Sequence, residues 1–179
     1  MTILHTARLT LEPITEQHYA ELRKLNSDPA VMRFLNGGIP ETEEGTLAMI
    51  ARVKAAWAAW GYSWWALILT DGGQMVGAAC LQHLGRDAAK PREIGWRLGC
   101  DCWGKGYASE AARAIVGHAF HVVGADEVCA VADPDNAASI TVMRRLGMRY
   151  VGIETHYERP CATYRLERAD WLAGVASPT

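Results

Sequence analysis

The sequence has no clustered excess of lysine and arginine. Its 18 basic and 20 acidic residues leave a formal net charge of −2, whereas a nucleic-acid-binding surface needs a basic patch or stripe. That balance does not exclude a cationic or peptide ligand. No apolar run approaches the roughly 18 residues that read as a bilayer span. Met1-Thr2-Ile3-Leu4-His5 also lacks the charged-then-apolar layout of a secretory leader. Cysteines are few, odd in number and scattered, at 80, 100, 102, 129 and 161. A disulfide framework is unusual in a chain of this size, so they read as free thiols in a reducing, cytoplasmic setting. Cys100-x-Cys102 has no second Cys/His pair at ligand spacing, and His118 and His121 lack further ligands, so no metal is expected.

Half of the 179 residues are hydrophobic, enough to bury a core around a sheet in one α/β (α+β) domain spanning residues 1–179. Leu9 to Pro13 reads as a strand. Thr15 can cap a helix carrying Tyr19, Leu22 and Leu25, which Asn26-Ser27-Asp28-Pro29 breaks. A short apolar helical piece, Val31 to Leu35, ends at Asn36-Gly37-Gly38. From Thr42 to Trp60 the apolar positions Leu47, Ile50, Trp57 and Trp60 keep helical spacing, and Gly61 stands as the stop. Trp64 to Thr70 and Met75 to Leu81 then form a hairpin about Asp71-Gly72-Gly73-Gln74.

Glu93 to Leu98 alternates, with Ile94, Trp96 and Leu98 on one face and Glu93, Gly95 and Arg97 on the other. A helix from about Ala108 to Val122 carries an apolar seam at Ala111, Ile115, Ala119 and Val122. Glu127 to Val131 is a strand, Asp133-Pro134-Asp135-Asn136 opens a helix that stops at Gly147, and Tyr150 to Glu154 and Ala162 to Glu167 are closing strands. The seven tryptophans concentrate at 57–65 and 96–103; they can fill the core or line a ligand pocket or dimer face.

The informative segment runs from Glu93 to Glu110. Gly104, Gly106 and Ala108 lie between a strand and a helix start, where backbone N–H groups can converge without Cβ obstruction. Together with the positive end of the helix this makes a site for a phosphate or diphosphate. The dipole contributes only about 0.3–1 kcal/mol, up to ~2 when partly buried, so amide hydrogen bonds must supply most of the anchoring. A Walker loop is rejected, because Lys105 lies between the glycines with no hydroxyl after it. A dinucleotide fingerprint fits poorly. Asp126 and Glu127 stand at the right distance, but the third small position is Ser109 and five residues separate strand from first glycine. A plain connector is the remaining alternative.

Trp103-Gly104-Lys105-Gly106-Tyr107-Ala108 resembles the acetyl-CoA diphosphate loop of the GNAT superfamily of N-acetyltransferases, with Trp103 in the place of the usual Gln or Arg. Asn136-Ala137-Ala138-Ser139 followed by Arg145-Leu146-Gly147-Met148 resembles a later signature of the same family, Arg145 replacing Lys. Thr6-Ala7-Arg8-Leu9-Thr10-Leu11 and Ser27 to Leu35 resemble the opening of its ribosomal-protein-acetyltransferase-like (Rim-type) branch, with Glu12 where that branch often has Arg. The resemblance runs from residue 6 to about 152. It implies a GNAT fold: a mixed, mostly antiparallel sheet of six to seven strands flanked by helices, with a splayed strand pair at the cofactor cleft.

The resemblance also implies direct attack of an amine on the acetyl-CoA thioester. Acetyl-CoA is the expected acyl donor; a succinyl or longer donor stays open, because the acyl pocket is not legible in the sequence. The acceptor is a small-molecule amine or a protein N-terminus, and a homodimer is an option the family offers. Cofactor contacts are expected from Trp96, Arg97 and Leu98 through their backbone, from Trp103, Gly104, Lys105, Gly106, Tyr107, Ala108 and Ser109 of the loop, and from Asn136, Ser139 and Arg145, with Arg144 as a further cation. Glu93 is the candidate base, against plain exposure at a strand end. Ser139 is the candidate proton donor to the leaving thiolate, against a hydroxyl serving only a helix cap. His83 either faces an acceptor pocket or caps the core. A non-catalytic acyl-CoA-binding module is the alternative to an enzyme.

Overall fold

The computed structural model describes residues 1–175; the last four residues of the expected 1–179 domain lie outside them. In chain order the elements are β1 (Leu4–His5), β2 (Leu9–Pro13), α1 (Tyr19–Ser27), α2 (Pro29–Met32), α3 (Glu43–Trp60), β3 (Trp64–Leu69), β4 (Met75–His83) and β5 (Arg92–Leu98). They continue with α4 (Tyr107–His121), β6 (Glu127–Ala132), α5 (Ala137–Arg145), β7 (Arg149–His156), β8 (Arg159–Glu167) and α6 (Arg168–Val175). Eight strands form one sheet in the order β1-β2-β3-β4-β5-β6-β8-β7. The ladders β1–β2, β2–β3, β3–β4, β6–β8 and β7–β8 are antiparallel, and β5–β6 is parallel. That parallel ladder consists of Arg92↔Val128 and Glu93↔Cys129, while β6 stays paired with β8 as far as Ala132. Among the described residues the pairing of β5 with β6 is confined to the start of β5.

The chain divides into two compact units, residues 1–80 with 96–114, and residues 81–95 with 115 onward. In the first, α3 starts where Thr42 Oγ1 accepts the Gly45 N–H at 3.1 Å and ends where Gly61 takes φ +75°, a left-handed conformation that glycine adopts without a Cβ penalty. Its inward stripe is Thr46, Met49, Ile50, Val53 and Trp57, whereas Leu47 and Trp60 are about half exposed. The stripe expected from Leu47 and Trp60 is thus rotated by about one residue, because 46, 49, 50, 53 and 57 follow the 3.6-residue period more closely. Trp57 meets Trp65 edge to face at 5.0 Å. Both indole N–H groups find carbonyls, those of Trp64 and Thr2, as buried tryptophans require.

In the second unit, Ile115, Ala119 and Phe120 of α4 are buried, but Val122 lies past the helix end and is 71 % exposed, which shortens the expected seam. Asn136 caps α5 by accepting the Ser139 N–H at 3.1 Å, and Gly147 follows with φ +81°. Two elements exceed the expectation of six to seven strands ending the chain. β1 has two residues, too few to display alternation. In α6, Trp171 is buried and packs 6.2 Å from Phe120, but the eight residues of the helix, RADWLAGV, do not segregate into an apolar and a polar face.

Candidate active site

In the first unit, β5 ends and a glycine-rich turn leads into α4. Gly104 and Gly106 have φ of +73° and +83°, so a side chain at either would be strained. Trp103 to Gly106 are exposed. The first intrahelical bond beyond the turn is Glu110 N–H to Gly106 O, at 3.1 Å. The amides of Tyr107, Ala108 and Ser109 therefore have no acceptor in their own helix, as at any helix start. Trp103 does not stack in the core: it is about half exposed, and its Nε1–H donates to Leu98 O at 2.8 Å. This ties the turn to the end of β5.

The opening residues reach the same turn. Arg8 Nη1 donates to Lys105 O at 3.0 Å, and its Nε donates to Glu110 Oε2 at 2.7 Å. The Arg8 N–H and the Thr6 hydroxyl both donate to Glu110 Oε1, at 2.8 and 2.6 Å. The guanidinium lies 4.7 Å from the Tyr107 ring centre, and a Cβ on Gly106 would meet Arg8 Nη2 at 3.4 Å. Burial opposes ionisation of Glu110, yet the donors from Thr6 and Arg8 outweigh it and lower its pKa. The Thr6-x-Arg8 opening thus sets the carbonyl side of the turn and leaves the amide side available. The turn thus presents first-turn amides without a helical acceptor, two positions without a Cβ, and Lys105 beside a guanidinium paired with Glu110.

Strand β5 approaches β4 closely at Gly77, where a Cβ would lie 2.3 Å from Arg97 O. The Arg97 guanidinium stacks 4.8 Å over Trp64, and burial lowers its pKa. Trp96 is half-buried and Leu98 buried.

In the second unit, Glu93 is buried, only 6 % exposed, so the plain surface position considered for it is overturned. Its Oε2 accepts from the Tyr157 hydroxyl and, at 3.1 Å, from Gln82 Nε2. Burial raises its pKa; the bonds from Tyr157 and Gln82 and the charges of His156 and Arg86 oppose the rise without cancelling it. A buried carboxylate with a raised pKa is the type of group that acts as a base near neutrality. Ser139 gives the α5 cap its backbone N–H rather than its hydroxyl, so the cap does not consume the side chain. Arg145 is exposed, and Arg144 lines a cavity of about 430 Å³ with Tyr150 and Tyr164. His83 is half-buried, its Nδ1 lying 3.0 Å from Lys90 O. His118 is buried on α4, and burial lowers its pKa. Among the described residues no group of three or more His, Cys, Asp and Glu could hold a metal, and none of the five cysteines is in a disulfide.

Sequence reasoning missed Gln82, Tyr157, Glu110 and Gly77. The motif that quoted Thr6 and Arg8 carried no role for them. Glu110, four residues after Gly106, could have been matched to Arg8 by charge. Nothing marked Tyr157, because a Tyr-Glu pair is not a recognised turn signal.

Residues 8–149 match the acetyltransferase (GNAT) domain family. FsC-acetyl coenzyme A-N(2)-transacetylase of Aspergillus fumigatus is 31 % identical, over 94 % of this chain and 77 % of its own length. Among solved structures, a GNAT-family acetyltransferase from Bacillus anthracis superposes with a TM-score of 0.80 at 24 % identity, covering 94 % of this chain and 99 % of its own. An aminoglycoside acetyltransferase in complex with coenzyme A superposes with a TM-score of 0.76 at 18 % identity, covering 92 % of this chain and 98 % of its own. At those identities the two structures establish the fold alone. With most of the chain inside the family's domain and the glycine turn in its expected place, this protein belongs to the GNAT acetyltransferase family and is an N-acetyltransferase.

Proposed function

We propose that the whole chain acts as one catalytic domain of the Rim-type branch, moving an acetyl group from acetyl-CoA to a primary amine of a small molecule or a protein N-terminus. The observation that carries this reading is the turn at Gly104 and Gly106, whose positive φ angles and first-turn amides suit a diphosphate. The opening motifs at Thr6 to Leu11 and Ser27 to Leu35 support the branch. The name of the fungal relative, a transacetylase acting from acetyl coenzyme A at an N(2) position, supports an acetyl donor and an amine acceptor.

In this reading Gly104 to Ser109 hold the diphosphate through main-chain amides, and Lys105 adds charge. Trp96, Arg97 and Leu98 offer backbone groups to the pantetheine arm and thioester oxygen. Asn136 caps α5 and contacts the arm, and Arg145 or Arg144 reaches a phosphate. The thioester supplies the acetyl group: the amine nitrogen bonds to its carbonyl carbon, the carbon–sulfur bond breaks, and the sulfur leaves as thiolate. Glu93 takes the proton lost by the nitrogen. The Ser139 hydroxyl gives one to the thiolate and regains it, through water, from the proton that Glu93 releases. An alkyl amine with pKa about 10.4 is almost wholly protonated at neutral pH, so a base is useful; an α-amine near 7.7–8.0 needs it less.

An acceptor screen across peptides, amino acids, aminoglycosides and polyamines, read by thiol release from acetyl-CoA, tests the reading. Release that depends on one acceptor class supports it. Coenzyme A binding without release in the presence of any acceptor would assign the chain to the non-catalytic acyl-CoA-binding class.

A further inference from the structure

The turn joining β7 to β8 has an unusual composition for its geometry. His156 pairs with Arg159 across a two-residue loop, and both loop residues, Tyr157 and Glu158, have positive φ, +52° and +60°. Such tight turns favour Asn-Gly or Asp-Gly, because a left-handed conformation crowds the Cβ of larger residues. Among the described residues four non-glycine positions have positive φ, and the other two are Asn36 and Arg86. Three of the four therefore lie in just two turns, β7–β8 and the 84–86 turn after β4.

One hydroxyl joins those turns. Tyr157 Oη accepts from Gly85 N at 3.2 Å and from Gln82 Nε2 at 3.2 Å, and it donates to Glu93 Oε2. A phenol has one donor and two acceptor positions, so its bonding capacity is full. Two donors into the oxygen also strengthen its own O–H as a donor. Gln82 uses its second N–H on the same carboxylate oxygen. Strain that persists in a turn is held by its surroundings, and here what holds it ends on Glu93.

We propose that Tyr157 is a positioning residue that fixes the Glu93 carboxylate for proton abstraction, the β7–β8 turn being kept left-handed to deliver its hydroxyl. This rests on Glu93 being the base. Tyr157 keeps its own proton throughout; the proton from the acceptor nitrogen goes to Glu93. The other groups around the carboxylate are Gln82 of β4, Arg86 of the following turn, Cys129 of β6, His156 of β7 and Cys161 of β8. Arg86 and His156 favour its charge, and neither thiol supplies a cation, so the phenol is the main donor that a single substitution can remove.

The test is Tyr157→Phe, which keeps the ring and deletes the donor. The expected result is an acid limb of kcat/KM displaced to higher pH and a rate about tenfold lower at neutral pH, the loss of one hydrogen bond to a charged group, with the KM for acetyl-CoA unchanged. The Glu93 carboxylate, followed by carbon-13 NMR without turnover, titrates at higher pH in the variant. Gln82→Met, which removes the other donor, moves the limb in the same direction and serves if Tyr157→Phe does not fold. An unmoved limb and an unmoved carboxylate titration, with only melting temperature reduced, would overturn the proposal while leaving Glu93 as base. A Glu93→Gln enzyme that retains the acid limb would overturn both.

Discussion

Glu93 carries an internal conflict between stability and chemistry. Burial raises its pKa, so its ionised form weakens the native state relative to the unfolded chain. For a carboxyl raised in the fold, the stabilising contribution is full below the unfolded pKa and is lost as pH rises through the native pKa. Glu93→Gln should therefore melt higher than the parent at pH 8, with the gain shrinking towards zero near pH 4. The same variant should lose about a hundredfold in kcat/KM near neutral pH, the lower range for a positioned base. Thermal melts and initial rates on one preparation check both; a variant that is slower and also less stable at pH 8 would contradict the assignment. Ser139→Ala offers a contrast, since the α5 cap depends on its backbone N–H. Turnover should fall with little change in melting temperature or in coenzyme A affinity.

Two elements depend on close approach. Gly77 of β4 faces Arg97 O, with 2.3 Å available where a Cβ would go, and neither backbone can yield without opening the β4–β5 pairing. Gly77→Ala should cost at least about 1–3 kcal/mol, as overpacked sites do, which urea denaturation measures. The glycine turn proposed to hold the diphosphate depends on Arg8 and Glu110, which hold the Lys105 carbonyl and the first turn of α4. Arg8→Ala and Glu110→Ala should each weaken coenzyme A binding about tenfold. The double variant should lose less than the sum, because the two side chains act on each other. Calorimetric titration of the three variants decides; strictly additive losses would mean that the pair does not shape the turn.

Across the whole molecule, what could be read from the sequence follows from how locally each feature is encoded. The α3 stop at Gly61, the Gly72-Gly73 hairpin and the helix opening at Asn136 are written in neighbouring residues, and each stands where the pattern put it. The glycine turn was legible for the same reason. The Glu93 site was legible only in part. Its carboxylate stood out on a strand, but the partners that set its character, Gln82 and Tyr157, lie 11 and 64 residues away, and no local rule joins them. Likewise Arg8 and Glu110 are 102 residues apart. β1 escaped because two residues cannot alternate, and α6 because its apolar and polar residues do not segregate into faces.

The claim on which the function rests is that main-chain amides from Lys105 to Ser109 grip the diphosphate of coenzyme A. Amide hydrogen exchange with and without coenzyme A tests it most directly. The account predicts strong slowing confined to that turn and the first turn of α4, abolished by Gly106→Val, whose side chain the +83° backbone cannot carry without strain. Binding that leaves those amides exchanging freely, or that survives Gly106→Val undiminished, would contradict it.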